Sequence, residues 1–214
     1  MVSVFVNLKG NSGRTGASGC CGKIIIIRVA GGDFHMVDGY EKLNRRLAYA
    51  GSIVDFYKDT IKLPNGNTVE WDRIEHKGAA AVIPVDEDGR IIMVKQYRTG
   101  TGTELIEIPA GGINSREEPY TSAMRELEEE TGYRTDKLEH LIDVYSAPAY
   151  TTECVYIYYT EKLIPSVTNY DEDEFISLER YTPDELVDMI LDGRIVDGKT
   201  ISGIMAYREL VSRR

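Results

Sequence analysis

The stretch GGINSREEPYTSAMRELEEETGY, from Gly111 to Tyr133, decides how the rest of the chain is read. It combines a glycine-rich entry, a short acidic loop and a segment dense in carboxylates. Pro119 suits a first helical position, where its missing N–H would have had no partner anyway. Gly132 suits the position just past a helix end, where a left-handed backbone is wanted. The two predict a helix of about three turns between them. On that helix Glu126, Glu129 and Glu130 are three and four residues apart and share one face, while Glu128 points elsewhere. Tyr120, Ala123, Met124 and Leu127 make the apolar stripe of the other side, and Arg125 is placed to pair with Glu129 one turn on. Like charges gathered this way repel, which calls for a compensating cation, and hard oxygen donors suit Mg²⁺ or Mn²⁺.

The spacing goes further than the helix. Gly111, five residues, Glu117, seven residues and then Arg125-Glu126-Leu127-x-Glu129-Glu130-x-Gly132-Tyr133 resembles the Nudix box at every fixed position of its 23 residues. The resemblance implies an α/β (α+β) fold, the Nudix α/β/α sandwich with a mixed sheet, from roughly Gly51 to the C-terminus; periodicity alone would give only α+β or α/β. It also implies hydrolysis of a nucleoside diphosphate linked to another group, with divalent ions neutralising the diphosphate and activating water. By the same resemblance Glu126 and Glu130 are metal ligands, Glu129 is a further ligand and the backbone carbonyl of Ala110 another. Arg125 then holds the carboxylate cluster, and Glu117 fixes the loop or binds through water.

Three features outside the box resemble the ADP-ribose pyrophosphatase branch: VKQYR ending at Arg98, EIPAG from Glu107 to Gly111, and Pro148 fifteen residues beyond Tyr133. Around that proline, Ala147 to Glu153 resembles the branch's S-P-G-x-x-x-E loop, which makes Glu153 the expected general base, on a loop able to close over substrate. Ala147 and Ala149 depart from the pattern; if the turn needs a positive φ, Ala149 carries a cost. Arg98 matches a diphosphate-contacting arginine, whose fork suits phosphate oxygens. Trp71 lies where some relatives stack an aromatic on adenine, often across a dimer. Glu107 is an acid inside an apolar run, so it needs partners and is expected to bind substrate or orient a ligand. His35, His76 and His140 show no ligand spacing.

Composition bounds these readings. A chain of 214 residues with 42% hydrophobic and 28% charged residues can bury a proper core. A net charge of -10 speaks against a broad nucleic-acid or anionic-membrane surface, so a phosphorylated ligand needs local cations. Cys20, Cys21 and Cys154 give neither a disulfide framework nor a zinc spacing, which fits a reducing cytoplasm. No apolar run approaches the ~18 residues that span a bilayer.

Three segments are expected along the chain. Residues 1–35, rich in Gly, Ser and Asn, read as a disordered extension or a gene-start artefact ahead of Met36, and the Gly16–Lys23 run lacks the glycine spacing and Ser/Thr of a P-loop. Residues 36–77 read as a small N-terminal antiparallel β unit used in dimerisation, with Asn65-Gly66 turning a hairpin. Residues 78–214 read as the Nudix domain. It carries strands around AAAVIPV, RIIMVKQYR, ELIEIPA, LEHLIDVYSA, CVYIYYTEKL and EFISLERY, then a helix opened by Thr182-Pro183 and a last helix from about Thr200.

The activity expected from the resemblance is Mg²⁺-dependent cleavage of ADP-ribose to AMP and ribose 5-phosphate by a homodimer without nucleic-acid or membrane partners. The alternatives are hydrolysis of another nucleotide sugar such as ADP-glucose or GDP-mannose, a housecleaning triphosphatase, or a sensor that binds ADP-ribose without cleaving it.

Overall fold

The computed structural model describes residues 39–170 and 175–214. The expectation for residues 1–35 lies outside these described residues. At the N-terminal end, β1 (Glu41–Ala50), β2 (Asp55–Lys62) and β3 (Thr68–Glu75) form an antiparallel three-stranded sheet in that order. The β2–β3 turn uses Asn65-Gly66 as expected: Gly66 takes φ +86°, and Gly66 N–H closes back on the Leu63 carbonyl at 2.9 Å. β1 was not expected from the sequence. EKLNRRLAYA has no clean alternation, and all of its residues except Arg45 are exposed, so burial left no pattern to read. Arg45 instead anchors the sheet by charge, donating from Nε and Nη2 to Asp59 at 2.7 and 2.8 Å and from Nη1 to Glu75 at 3.1 Å.

The rest of the fold is built on β4 (Ala79–Pro84). It pairs parallel with β10 (Cys154–Thr160) and antiparallel with β7 (Ala110–Gly112), while β9 (Glu139–Tyr145) closes the far edge, giving the mixed order β7-β4-β10-β9. β4 is buried on both faces, which is why its sequence reads as a continuous apolar run. Ala80 and Val82 pack under α1 (Pro119–Thr131) with Ala123, Leu127 and Tyr158. Ala81 and Ile83 face the larger core with Ile157, with Ile91 and Met93 of β5 (Ile91–Arg98), and with α2 (Pro183–Leu191) and α3 (Gly198–Ser212) through Leu186, Met189, Ile204 and Tyr207. β5 is itself the middle of an antiparallel sheet between β6 (Thr103–Glu107) and β12 (Ser177–Tyr181). A further short pair joins β8 (Tyr133–Arg134) to β11 (Ile164–Pro165). Helices on both faces of a mixed sheet make the expected α/β/α sandwich.

The helix ends follow their local chemistry. Pro119 opens α1, and Gly132 closes it at φ +70° with its N–H on the Glu128 carbonyl. Thr182 and Glu185 form a reciprocal capping box on α2. α3 begins at Gly198, two residues ahead of the expected start, because Asp197 is its N-cap and accepts from Thr200 N–H at 2.9 Å. Among the described residues no helix is long and apolar enough to cross a membrane.

Candidate active site

A cleft of about 740 Å³ opens where β7, β5, the start of α3 and the β9–β10 loop meet, within the size of typical small-molecule sites. One wall is Ala110, Gly111 and Glu130; facing them are Gln96 and Arg98, then Asp197 and Lys199; the remaining side carries His76, Tyr145 and Glu153. Of the expected site residues, the fold thus brings Ala110, Glu130, Arg98 and Glu153 to one cavity from four separate segments.

The helix α1 supplies the carboxylates. Ala123 and Leu127 are fully buried against β4, and Glu126 and Glu130, on the flank of that same buried face, are thereby set against β7, while Glu129 lies further round the helix on Arg125. Glu130 is 3% exposed, and its Oε2 accepts from Ala110 N–H at 2.8 Å. Glu126 lies directly over Gly111, where a Cβ would collide with its carboxylate; this glycine is required by close approach rather than by its backbone angles. Arg125 is the hub: Nη1 reaches Glu126 at 2.6 Å and Glu129 at 2.8 Å, Nε reaches Glu117 at 3.1 Å, and Nη2 reaches the Gly112 carbonyl at 3.2 Å. Burial alone would lower the Arg125 pKa, but the surrounding carboxylates outweigh it and raise it. Glu117 is held below the usual carboxylate range by Arg125, against a smaller opposing effect of burial. It also accepts from Asn114 N–H at 3.0 Å, tying down the loop that Arg116 turns at φ +70°.

Among the described residues no three Asp, Glu, His or Cys groups already converge as a ligand set. The reason is visible in the contacts: Arg125 draws Glu117, Glu126 and Glu129 to its guanidinium, and Glu130 turns to the backbone. The donors themselves fit a hard divalent ion. They are carboxylate oxygens on one helix, and Gly111 lets the Glu126 carboxylate approach the backbone at a place that any side chain would deny it.

The opposite wall is a buried ionic network that sequence reading only half anticipated. Glu107 is 2% exposed and does not line the cleft; instead it accepts from Arg98 Nε and Nη2 at 2.9 and 2.8 Å and from Lys199 Nζ at 2.5 Å. Burial would raise the Glu107 pKa, but the Arg98 hydrogen bonds and the Lys199 charge prevail and lower it. Lys199 also donates to Asp197 Oδ2 at 3.0 Å, and Thr200 Oγ1 accepts from Ile108 N–H at 3.0 Å, so α3 is stitched to the β6–β7 segment. Lys199 and Asp197 were missed. The available signal was Asp197 as an N-cap, which a helix start set at Thr200 passed over.

Trp71 is placed away from the cleft. It is about half exposed on β3, with its ring 6.3 Å from that of Tyr40, so within one chain it does not reach the cavity. Glu153 does reach it, 3.6 Å from His76 Nδ1. The Ala149 departure carries no backbone cost, since Arg116 is the one non-glycine residue with positive φ among the described residues. Nor does the structure place this segment as a free loop: Ile74 and Thr151 form a parallel bridge that joins it to β3.

Comparison with known proteins agrees with this architecture. The NUDIX domain model matches residues 75–202. A methanol dehydrogenase activator of Bacillus methanolicus is 37% identical over 158 residues, covering 73% of this chain and 85% of the relative. An ADP-ribose pyrophosphatase of Bacillus subtilis is 36% identical over 158 residues, with the same coverage of 73% and 85%. A crystal structure of an ADP compounds hydrolase superposes with a TM-score of 0.74 at 22% identity, over 83% of this chain and 96% of the other; at that identity the likeness speaks for the fold.

Proposed function

The chain belongs to the NUDIX family, and on that premise we propose that it is a divalent-metal-dependent pyrophosphohydrolase that cleaves the diphosphate linkage of ADP-ribose, giving AMP and ribose 5-phosphate. The observation that carries the reading is the shared cleft, where Glu130 and Gly111 of the box face Arg98 and Glu153 from outside it.

Glu126, Glu129, Glu130 and the Ala110 carbonyl would hold Mg²⁺, or Mn²⁺. Bound there, the metal neutralises diphosphate oxygens and acidifies water. The chain's own residues do the rest. Arg98 spends Nε and Nη2 on Glu107, which fixes the plane of its fork and directs the remaining donors at a phosphate oxygen. Glu107 therefore acts as an orienter of Arg98 and Lys199 rather than as a direct substrate contact. Glu153 takes the proton of the attacking water at its carboxylate. Arg125 keeps the box carboxylates together and offsets their mutual repulsion.

The N-terminal sheet serves dimerisation. Its support is the run of exposed apolar groups on β1 and beside it, Leu43, Leu47, Tyr49 and Ile53, together with Trp71. In such a dimer Trp71 would serve the partner's cleft. We place the protein in the cytoplasm, a reading supported by the unpaired buried thiol of Cys154, and the net charge of -10 supports a small-molecule substrate rather than nucleic acid.

The test is a product assay in which purified protein and Mg²⁺ are incubated separately with ADP-ribose, ADP-glucose, GDP-mannose and dATP. AMP formed from ADP-ribose well ahead of the others, and abolished by EDTA, is the expected result. Faster turnover of another nucleotide sugar moves the substrate, and pyrophosphate released from dATP makes the protein a triphosphatase. Tight ADP-ribose binding with no turnover makes it a sensor.

A further inference from the structure

Glu153 stands on the segment Ala147–Glu153, and how that segment is held bears on what its carboxylate can do. Ile74 N–H donates to the Tyr150 carbonyl at 2.7 Å, and Thr152 N–H donates to the Ile74 carbonyl at 3.1 Å. Two residues on, His76 N–H donates to Thr152 Oγ1 at 2.9 Å, and that hydroxyl returns to the His76 carbonyl at 3.2 Å. The end of β3 and the loop are therefore sewn together like neighbouring strands. Within the loop, Glu153 N–H donates to Thr151 Oγ1 at 3.2 Å, and Ser146 N–H donates to the Glu153 carbonyl at 3.3 Å.

The His76 side chain completes this seam at the cleft. Its Nδ1 accepts from Gly78 N–H at 3.0 Å and lies 3.6 Å from Glu153 Oε1. Accepting from Gly78 assigns the ring proton to Nε2 and fixes the ring plane. Gly78 holds its own place through φ +95°, and a Cβ there would press on the Cys154 carbonyl at 3.0 Å. His76, Glu153 and Glu130 all line the cleft. The Nδ1 edge of the imidazole is thus held by the Gly78 backbone, and that same edge lies beside the Glu153 carboxylate.

We propose that His76 is a positioning residue for Glu153, setting the carboxylate in the cleft through the seam between the end of β3 and the Ala147–Glu153 loop. The inference rests on Glu153 acting as the base in the proposed hydrolysis. A proton acceptor must come within about 2.6–3.2 Å of the proton's parent oxygen, and a carboxylate on an untethered loop samples many rotamers. The seam removes that freedom from the backbone, and the Gly78–His76 hydrogen bond keeps the ring at the side of the carboxylate. The N-terminal sheet thereby contributes to catalysis as well as to the dimer surface.

The experiment measures kcat and KM for ADP-ribose in wild type, His76→Phe, His76→Asn, Thr152→Val, Glu153→Gln and the double variant His76→Phe with Glu153→Gln. Hydrogen exchange of peptides covering residues 147–155 is followed in each. His76→Phe is expected to lower kcat about ten- to a hundredfold, as misplacement of a catalytic group does, with KM changed less than about twofold. His76→Asn, whose amide oxygen can accept from Gly78 N–H, recovers most of the loss. In the double variant kcat equals that of Glu153→Gln alone, because the imidazole acts only through the carboxylate. Exchange across 147–155 quickens in His76→Phe and Thr152→Val. A His76→Phe kcat within about twofold of wild type overturns the proposal, as does a double variant that loses the two factors multiplied. If wild type ignores ADP-ribose, or Glu153→Gln is fully active, the functional reading fails instead. The exchange data then stand alone, and unchanged protection in both seam variants removes the seam as well.

Discussion

Replacing Glu107 by glutamine tests whether the buried network holds the cleft's cationic wall. The carboxylate receives three charge-assisted hydrogen bonds, two from Arg98 and one from Lys199, while itself only 2% exposed. An amide of the same shape offers one acceptor oxygen, which at the Oε2 position still accepts from Arg98 Nη2 and Lys199, so the bond from Arg98 Nε is lost and an N–H group faces that cation instead. For one such charge-assisted bond the gross loss is about 1.5–3 kcal/mol. Two features reduce it: Arg98 is 36% exposed and can turn to water, and Lys199 keeps Asp197. A net cost of about 1–2 kcal/mol is expected, which for a chain of this size lowers Tm by about 2–8 °C. Urea and thermal unfolding at pH 7 measure it, and KM for ADP-ribose should rise as Arg98 loosens. The sign with pH follows from the depressed Glu107 pKa. Its contribution is complete above the unfolded-state value of about 4.3 and disappears as pH falls through the lower folded value, so the gap between wild type and Glu107→Gln must narrow below about pH 4. A variant within about 0.5 kcal/mol of wild type at pH 7, or a gap that does not change on acidification, refutes the reasoning.

Three further outcomes are expected. Glu130→Gln should cut kcat about a hundredfold while shifting Tm by less than about 3 °C, because the amide oxygen still accepts from Ala110 N–H; full activity at saturating Mg²⁺ removes Glu130 from the ligand set. Gly111→Ala should displace the Glu126 carboxylate and raise the Mg²⁺ concentration needed for half-maximal rate by about tenfold, with far-ultraviolet circular dichroism unchanged; an unaltered Mg²⁺ titration contradicts it. Leu43→Lys combined with Leu47→Lys should convert a dimer to a monomer in sedimentation velocity, since both exposed side chains lie on β1. A monomeric wild type at the same concentration would end the dimer reading.

Much of the molecule was legible because its signals are local. Pro119 and Gly132 bracket α1, Asn65-Gly66 turns the β2–β3 hairpin, and Thr182 with Glu185 caps α2, each through contacts within a few residues. The carboxylate face of α1 was legible for the same reason, since helical spacing fixes which side chains share a face. β1 was not. Its residues are almost all exposed, and its strand state comes from pairing with β2 rather than from a pattern of its own. The role of Glu107 was visible as a need for partners but not as their identity, because Arg98 and Lys199 lie 9 and 92 positions away.

By itself, then, the sequence determined the box, the helix that carries it and the family of chemistry, because these rest on spacing along one continuous segment. Only the tertiary structure decided that Arg98 is bound back onto Glu107, that Lys199 joins them, that Trp71 lies outside its own chain's cleft and that the Glu153 loop is sewn to β3. Those facts depend on which distant segments the two cores press together, and burial of apolar surface has no memory of distance along the chain.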